Sequence, residues 1–203
     1  MNLPIIESNQ LRRITKTVRL KPDRQASLIP QLIYQDKLKL NLQPFFDKNF
    51  DLFKIYTQLK LTIPNLAKAN YCYQFEDYLT IVSKENQQPA YKVKLKFSFL
   101  KFNQYIVVLL PVNKQQVEPS WIDYLECLVV EQKYAQRLPV KLALINQEVS
   151  LFDFGEKQKV TLLAKLPQDL SQPKPAEVRI DQNQEAKLNQ IKAMVDSAPE
   201  ITI

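Results

Sequence analysis

Basic side chains come closer than any other residues of this chain to a patterned chemistry. Arg12, Arg13, Lys16, Arg19, Lys21 and Arg24 place six cations within 13 positions, opposed only by Asp23. Arginine suits phosphate because its planar guanidinium meets two oxygens at once. A second group, Lys92, Lys94 and Lys96, alternates with Tyr91, Val93, Leu95, Phe97 and Phe99. That period of two puts the lysines on one face of a strand and the apolar residues on the other. A lysine face can follow a phosphate backbone, and Lys37, Lys39, Lys60 and Lys141 are candidates to extend it. Lysines also keep antiparallel sheets soluble and discourage edge pairing. The aromatics of this strand share its apolar phase and are expected in the core. Both clusters therefore read first as solvated surface and second as an anion or nucleic-acid contact.

Carboxylates offer less. Pro22-Asp23 with Glu131-Gln132-Lys133 imitates the PD…ExK set that holds a divalent metal beside a lysine. The separation is too long for one compact hairpin, and Glu131 falls on an expected helix, so a metal-dependent nuclease is a remote reading. Glu76-Asp77 reads as a turn, and Asp123 with Glu126 as the wet side of a helix. No catalytic residue, metal ligand or cofactor is expected, and the chain is read as a non-enzyme.

Absences narrow the field further. The chain has no histidine, the usual general base and commonest metal ligand. With only Cys72 and Cys127, 55 positions apart, one chain lacks the ligands for a structural zinc site. Both thiols are expected buried, reduced and inert. Gly155 is the only glycine, where average usage would give about 14. The phosphate loops GxGxxG and GxxxxGK[ST] need several. Enzymes that depend on those nucleotide motifs or on histidine are excluded.

At 203 residues and 45% apolar, the chain can bury a core of ordinary size. Its longest apolar run, Tyr105 to Leu110, is far short of the roughly 20 residues that span a bilayer. MNLPIIESNQLRR lacks the apolar stretch of a leader. A cytoplasmic protein without membrane contact is expected. The net charge of +7 is uneven: +9 over residues 1–110, zero over 111–167 and −2 over 168–203. The basic half suits an anionic partner, and the acidic tail suggests a separate role.

The elements that must position these residues centre on Ala90 to Val112, an alternating strand followed by an almost unbroken apolar one. The pattern predicts strands at 14–20, at Lys37 to Leu42 and, after a helix from Asp47 to about Thr57, at residues 58–63. Gln25 to Gln35 has helical spacing interrupted by Pro30 and stays ambiguous. Residues 71–112 read as a three-stranded antiparallel meander. Ser120 to Asp123 starts a central helix, with Trp121, Leu125, Leu128 and Val129 as its apolar stripe and Pro139 closing it. A second meander is predicted from Val140–Ile145, Val149–Phe154 and Lys159–Leu166.

Residues 1–167 thus form one α+β domain with a predominantly antiparallel sheet of two meanders and one central helix. Pro-rich residues 168–180 read as a linker, and residues 181–203 as an appendage with a short amphipathic helix. Its stripe of Leu188, Ile191 and Val195 is marginal for an isolated helix and suits a partner's groove or the protein's own sheet. The reading favours a non-enzymatic adaptor that holds a protein partner as a subunit of a larger assembly. A nucleic-acid-binding accessory factor using the basic half is the alternative. Oligomeric state is not legible from these patterns.

Overall fold

The computed structural model describes residues 3–17, 20–83 and 86–167. Their strands are β1 (Ile5–Glu7), β2 (Asn70–Val82), β3 (Pro89–Lys101), β4 (Ile106–Pro111), β5 (Val140–Ile145) and β6 (Val149–Phe154). The helices are α1 (Ser8–Ile14), α2 (Arg24–Lys37), α3 (Gln43–Phe46), α4 (Phe50–Thr62), α5 (Leu125–Lys133) and α6 (Glu156–Lys165). They assemble as one six-stranded sheet in the order β1-β3-β4-β5-β6, with β2 along the other edge of β3.

The α+β class holds, but the sheet is mixed and not predominantly antiparallel. The 70–111 meander is present, since β2, β3 and β4 pair antiparallel. However, β1 runs parallel to β3, and β5 runs parallel to β4. The cause is the connection between β4 and β5. A hairpin reverses the chain, whereas a long crossover through a helix, here α5, returns it to the same end. The fully apolar β4 fits this central, parallel-paired place.

The second meander stops after two strands, because residues 156–165 form α6, not a strand. The strand expected at 14–20 is not formed where it is described: Ile14 ends α1, residues 15–16 are a turn, and 17 and 20 have no regular structure. Lys37–Leu42 is the exit of α2, and residues 58–62 continue α4. Helix α2 runs through Pro30, which is buried and whose carbonyl accepts from the Tyr71 hydroxyl at 2.8 Å. The linker at 168–180 and the helix at 181–203, with Leu188, Ile191 and Val195, lie outside the described residues.

Alternation in β3, β4 and β5 divides the interior into two cores. Val93, Leu95, Phe97, Val108 and Leu142 face α1, α5 and α6 on one side. Leu100, Val107, Leu109, Ala143 and Ile145 face α2 and α4 on the other. Helices α2 and α4 cover the second face over β4, β5, β6 and the Tyr71–Leu100 end of the β2–β3 pair, and leave the Lys92–Lys96 stretch of β3 uncovered.

Candidate functional site

The lysine face forms where that helical cover ends. Lys92, Lys94 and Lys96 point away from the first core, so the aromatics Tyr91, Phe97 and Phe99 are buried, as their phase requires. Strand β2 supplies what β3 does not. Tyr78 pairs in register with Lys94, and opposed residues of an antiparallel pair share a face. It is 40% exposed. Acidic neighbours restrain the charge: Lys94 Nζ lies 3.3 Å from Glu76 and 3.9 Å from Glu7. The bond to Glu76 raises the Lys94 pKa. Lys92 and Lys96 remain half-buried and exposed respectively.

Three of the four proposed extensions of this face, Lys37, Lys60 and Lys141, are engaged elsewhere. Lys37 donates to the carbonyls of Ala67 (2.8 Å) and Ala69, and burial pulls its pKa down. Lys60 lies 3.4 Å from Asp36, and Lys141 lies 3.0 Å from Asp153. Lys39 is exposed beyond the end of α2.

The N-terminal cluster divides. Arg12 is buried against Asp123 at 2.9 Å and is no surface cation. Arg13, Lys16, Lys21 and Arg24 are exposed, and Arg19 lies outside the described residues. Lys21 and Lys96, from the two clusters, line one cleft of about 570 Å³.

That cleft follows from the topology. Strands β1 and β4 share the same edge of β3: β1 pairs through Lys94, and β4 pairs only from Ser98 onward. The next in-phase position would set Lys96 against Pro111, whose ring has no N–H to give, so the ladder ends there. The edge around Lys96 is thereby left between two strands. Pro30, Tyr73, Phe97 and Leu109 form its apolar walls, and Glu126 of α5 contributes a carboxylate that is only 7% exposed. Gln74 joins them at a bulge in β2, with φ of 48° and its N–H donating to Ser98 Oγ at 2.9 Å.

The PD…ExK residues do not meet. Asp23 holds the N-cap position of α2, on one face of the sheet, without a side-chain cap bond. On the other, Glu131 pairs with Lys159 at 3.0 Å and Lys133 with Asp77 at 2.6 Å. Among the described residues, no group of three His, Cys, Asp or Glu side chains is placed to hold a metal ion. Asp123, in the turn before α5, and Glu126, on α5, are buried and form no wet side, because α1 and α6 cover this segment too. Cys127 is fully buried, and burial lifts its thiol far above the ordinary range. Cys72 is half-buried and shifted up for the same reason.

One further surface escaped the sequence patterns. Phe46, Phe50, Phe53 and Tyr56 recur at i, i+4, i+7 and i+10, the spacing of one helical stripe, but the fold divides them between core and solvent. Leu52, Ile55, Tyr56 and Leu59 face inward, while Phe50, Phe53 and Leu61 face solvent at 75%, 44% and 78% exposure. Phe45 of α3 is exposed too. The rings touch in sequence, edge-on or tilted: Phe50–Phe53 centroids at 6.3 Å, Phe53–Phe46 at 5.4 Å and Phe46–Tyr56 at 5.6 Å. The usable signal was a helix carrying two apolar stripes, one more than a single core contact needs.

No family model matches this chain, and neither a curated protein nor a solved structure matches it. Among the described residues no helix is long and apolar enough to cross a membrane.

Proposed function

We propose that this protein is a non-enzymatic binding subunit of a larger assembly, and that it holds a protein partner through the phenylalanine face of α3 and α4. The observation that carries this reading is Phe50, Phe53 and Leu61 standing in water on a helix whose inner face is already buried. Single exposed apolar residues are ordinary, but clustered ones mark interaction sites. Aromatic anchors dominate binding energy where a partner desolvates them. The ring chain from buried Tyr56 outward fixes Phe46 and Phe53 in advance, which lowers the entropy lost on binding. Asp47, Lys48, Asp51 and Lys54 balance in charge beside the rings. Affinity then comes from apolar burial and depends little on salt. The test is affinity capture from the source cells with wild type and with Phe50→Ser/Phe53→Ser. A protein retained by wild type through a salt wash and lost by the variant supports the reading; an identical bound set with both sinks it.

The lysine half-face favours a second reading, a nucleic-acid accessory factor. Tyr78 beside Lys92, Lys94 and Lys96 gives a base a ring to stack on within a cationic surface. The check is binding of labelled single strands across a salt series. Log affinity falling linearly with log salt, and weakened by Tyr78→Ala and by Lys92→Glu, supports it. Weak binding that ignores both substitutions removes it.

A further inference from the structure

We infer that the cleft between β1 and β4 binds a nucleoside monophosphate, either free or as the terminal residue of a nucleic-acid strand. The site differs from the phenylalanine face and does not depend on it. Its volume, about 570 Å³, falls in the range of small-molecule sites, roughly 300–1,000 Å³. Its chemistry is divided in three. Lys21 and Lys96 supply two ammonium groups, Tyr73, Phe97 and Pro30 supply flat apolar walls, and Glu126 supplies a carboxylate. Pro30 belongs to the helix on one face of the sheet and Glu126 to the helix on the other. The cleft is therefore lined from both faces of the sheet, beside the gap in its ladder.

A fitting ligand must be anionic, planar and a hydrogen-bond donor together. Inorganic phosphate leaves the walls empty, and a fatty acid brings no donor to Glu126. A nucleotide matches each part: its phosphate meets the lysines, its base lies on Tyr73, and an exocyclic amine or ring N–H of the base donates to Glu126, as carboxylates accept from cytosine in base recognition. No glycine-rich loop is required, because lysine side chains and not backbone N–H groups would hold the phosphate.

The experiment is isothermal titration of the full chain with AMP, GMP, CMP and UMP, with inorganic phosphate and the four nucleosides as controls. At least one monophosphate is expected to bind, with its nucleoside and phosphate alone each weaker by about tenfold or more, some 1.4 kcal/mol. Lys21→Met should weaken the nucleotide about tenfold while leaving its nucleoside unchanged. Glu126→Gln should reorder the four bases. A 5′-phosphorylated oligonucleotide binding more tightly than the monophosphate assigns the site to strand ends; equal or weaker binding assigns it to free nucleotide. No heat at millimolar monophosphate, nucleosides binding as well as nucleotides, or a Lys21→Met protein that keeps its melting curve and full affinity would each overturn the assignment. Lys96 is shared with the lysine half-face. Lys21 and Tyr78 are not, so their variants separate failure of this site from failure of that surface.

Discussion

Arg12 and Asp123, 111 residues apart in the chain, form a buried ion pair, Nη2 to Oδ1 at 2.9 Å. Asp123 Oδ2 also accepts from the Ser120 N–H (2.8 Å), the Ser120 hydroxyl (2.7 Å) and the Gln116 amide (2.7 Å). The pair fastens α1, and with it the short parallel strand β1, to the turn that starts α5. It thereby fixes the side of the cleft that Asn9 of α1 and Glu126 of α5 line. It also removes one of the six clustered cations from any surface role.

Removing one partner strands the other charge in the interior, which costs about 3–5 kcal/mol. Arg12→Met is therefore expected to lower unfolding stability by at least about 3 kcal/mol, read by urea titration. Arg13→Met, on the exposed side of the same helix, should stay within about 0.5 kcal/mol of wild type. Equal stability of the two variants would contradict the pair's assigned weight.

Asp77 joins β2 to the end of α5. Burial alone would raise its pKa. Bonds from Lys133 Nζ at 2.6 Å, the Tyr134 hydroxyl and the Tyr78 N–H outweigh burial and hold the carboxyl below its ordinary 3.8. A depressed folded-state pKa adds stability that is present above the unfolded value and is lost as pH falls through the folded one. Wild type should lose stability relative to Asp77→Asn as pH drops below about 4, and the gap should be constant above about pH 5. A pH-independent difference would mean that the carboxylate's charge plays no part.

The central sheet was legible because β3 and β4 carry their burial in their own patterns: alternation over Tyr91–Phe99 and an apolar run after it. The burial of Asp123 and Glu126 was not, since it is imposed by α1 and α6, which pack on α5 from distant parts of the chain. The lysine phase was readable within β3. Its tyrosine was not, because Tyr78 reaches that face through a cross-strand register that no local period encodes. The cleft depends on where two ladders along one edge begin and end, and only Pro111 hinted at it. Lys37–Leu42 misled for a different reason: its alternation of lysine and leucine coincides with a helix exit, and no glycine marks the end.

Alkaline pH should expose the hydroxyls tied into the interior. Burial is the main cause of raised pKa values at Tyr91, Tyr124 and Tyr134, each to about 12, and it pushes Tyr56 and Tyr71 up as well. Tyr91 donates to the Pro167 carbonyl at 2.8 Å and Tyr56 to Asp36 at 2.6 Å. For an acid raised in the folded state, the unfolded chain releases its proton first, so stability falls as pH climbs from about 10 toward 12. Absorbance at the phenolate band should show these five tyrosines ionising together with unfolding. Reversible ionisation of these five near 10 in the folded protein would refute their burial.

With one glycine in the chain, left-handed turns fall to other residues, and two of them end helices. Lys16 (φ 52°) follows α1, and Lys39 (φ 58°) follows α2. In both, the N–H of this residue and the next bond back to carbonyls in the last turn: Lys39 to Asp36 at 2.9 Å and Leu40 to Gln35 at 3.1 Å, Lys16 to Arg13 at 3.1 Å and Thr17 to Arg12 at 2.8 Å. This is the Schellman arrangement, whose left-handed position prefers glycine. A side chain there costs about 1–2 kcal/mol, because its Cβ crowds the following carbonyl. Lys39 is exposed. Lys39→Gly is expected to stabilise the fold by about 0.5–1 kcal/mol once the glycine's extra unfolded-state entropy is set against the relieved strain. That corresponds to a melting-temperature gain of about 1–4 °C for a domain of this size. Lys39→Ala keeps the Cβ and should gain nothing. If alanine stabilises as much as glycine, the lysine's charge, and not its backbone conformation, is what the helix end tolerates poorly.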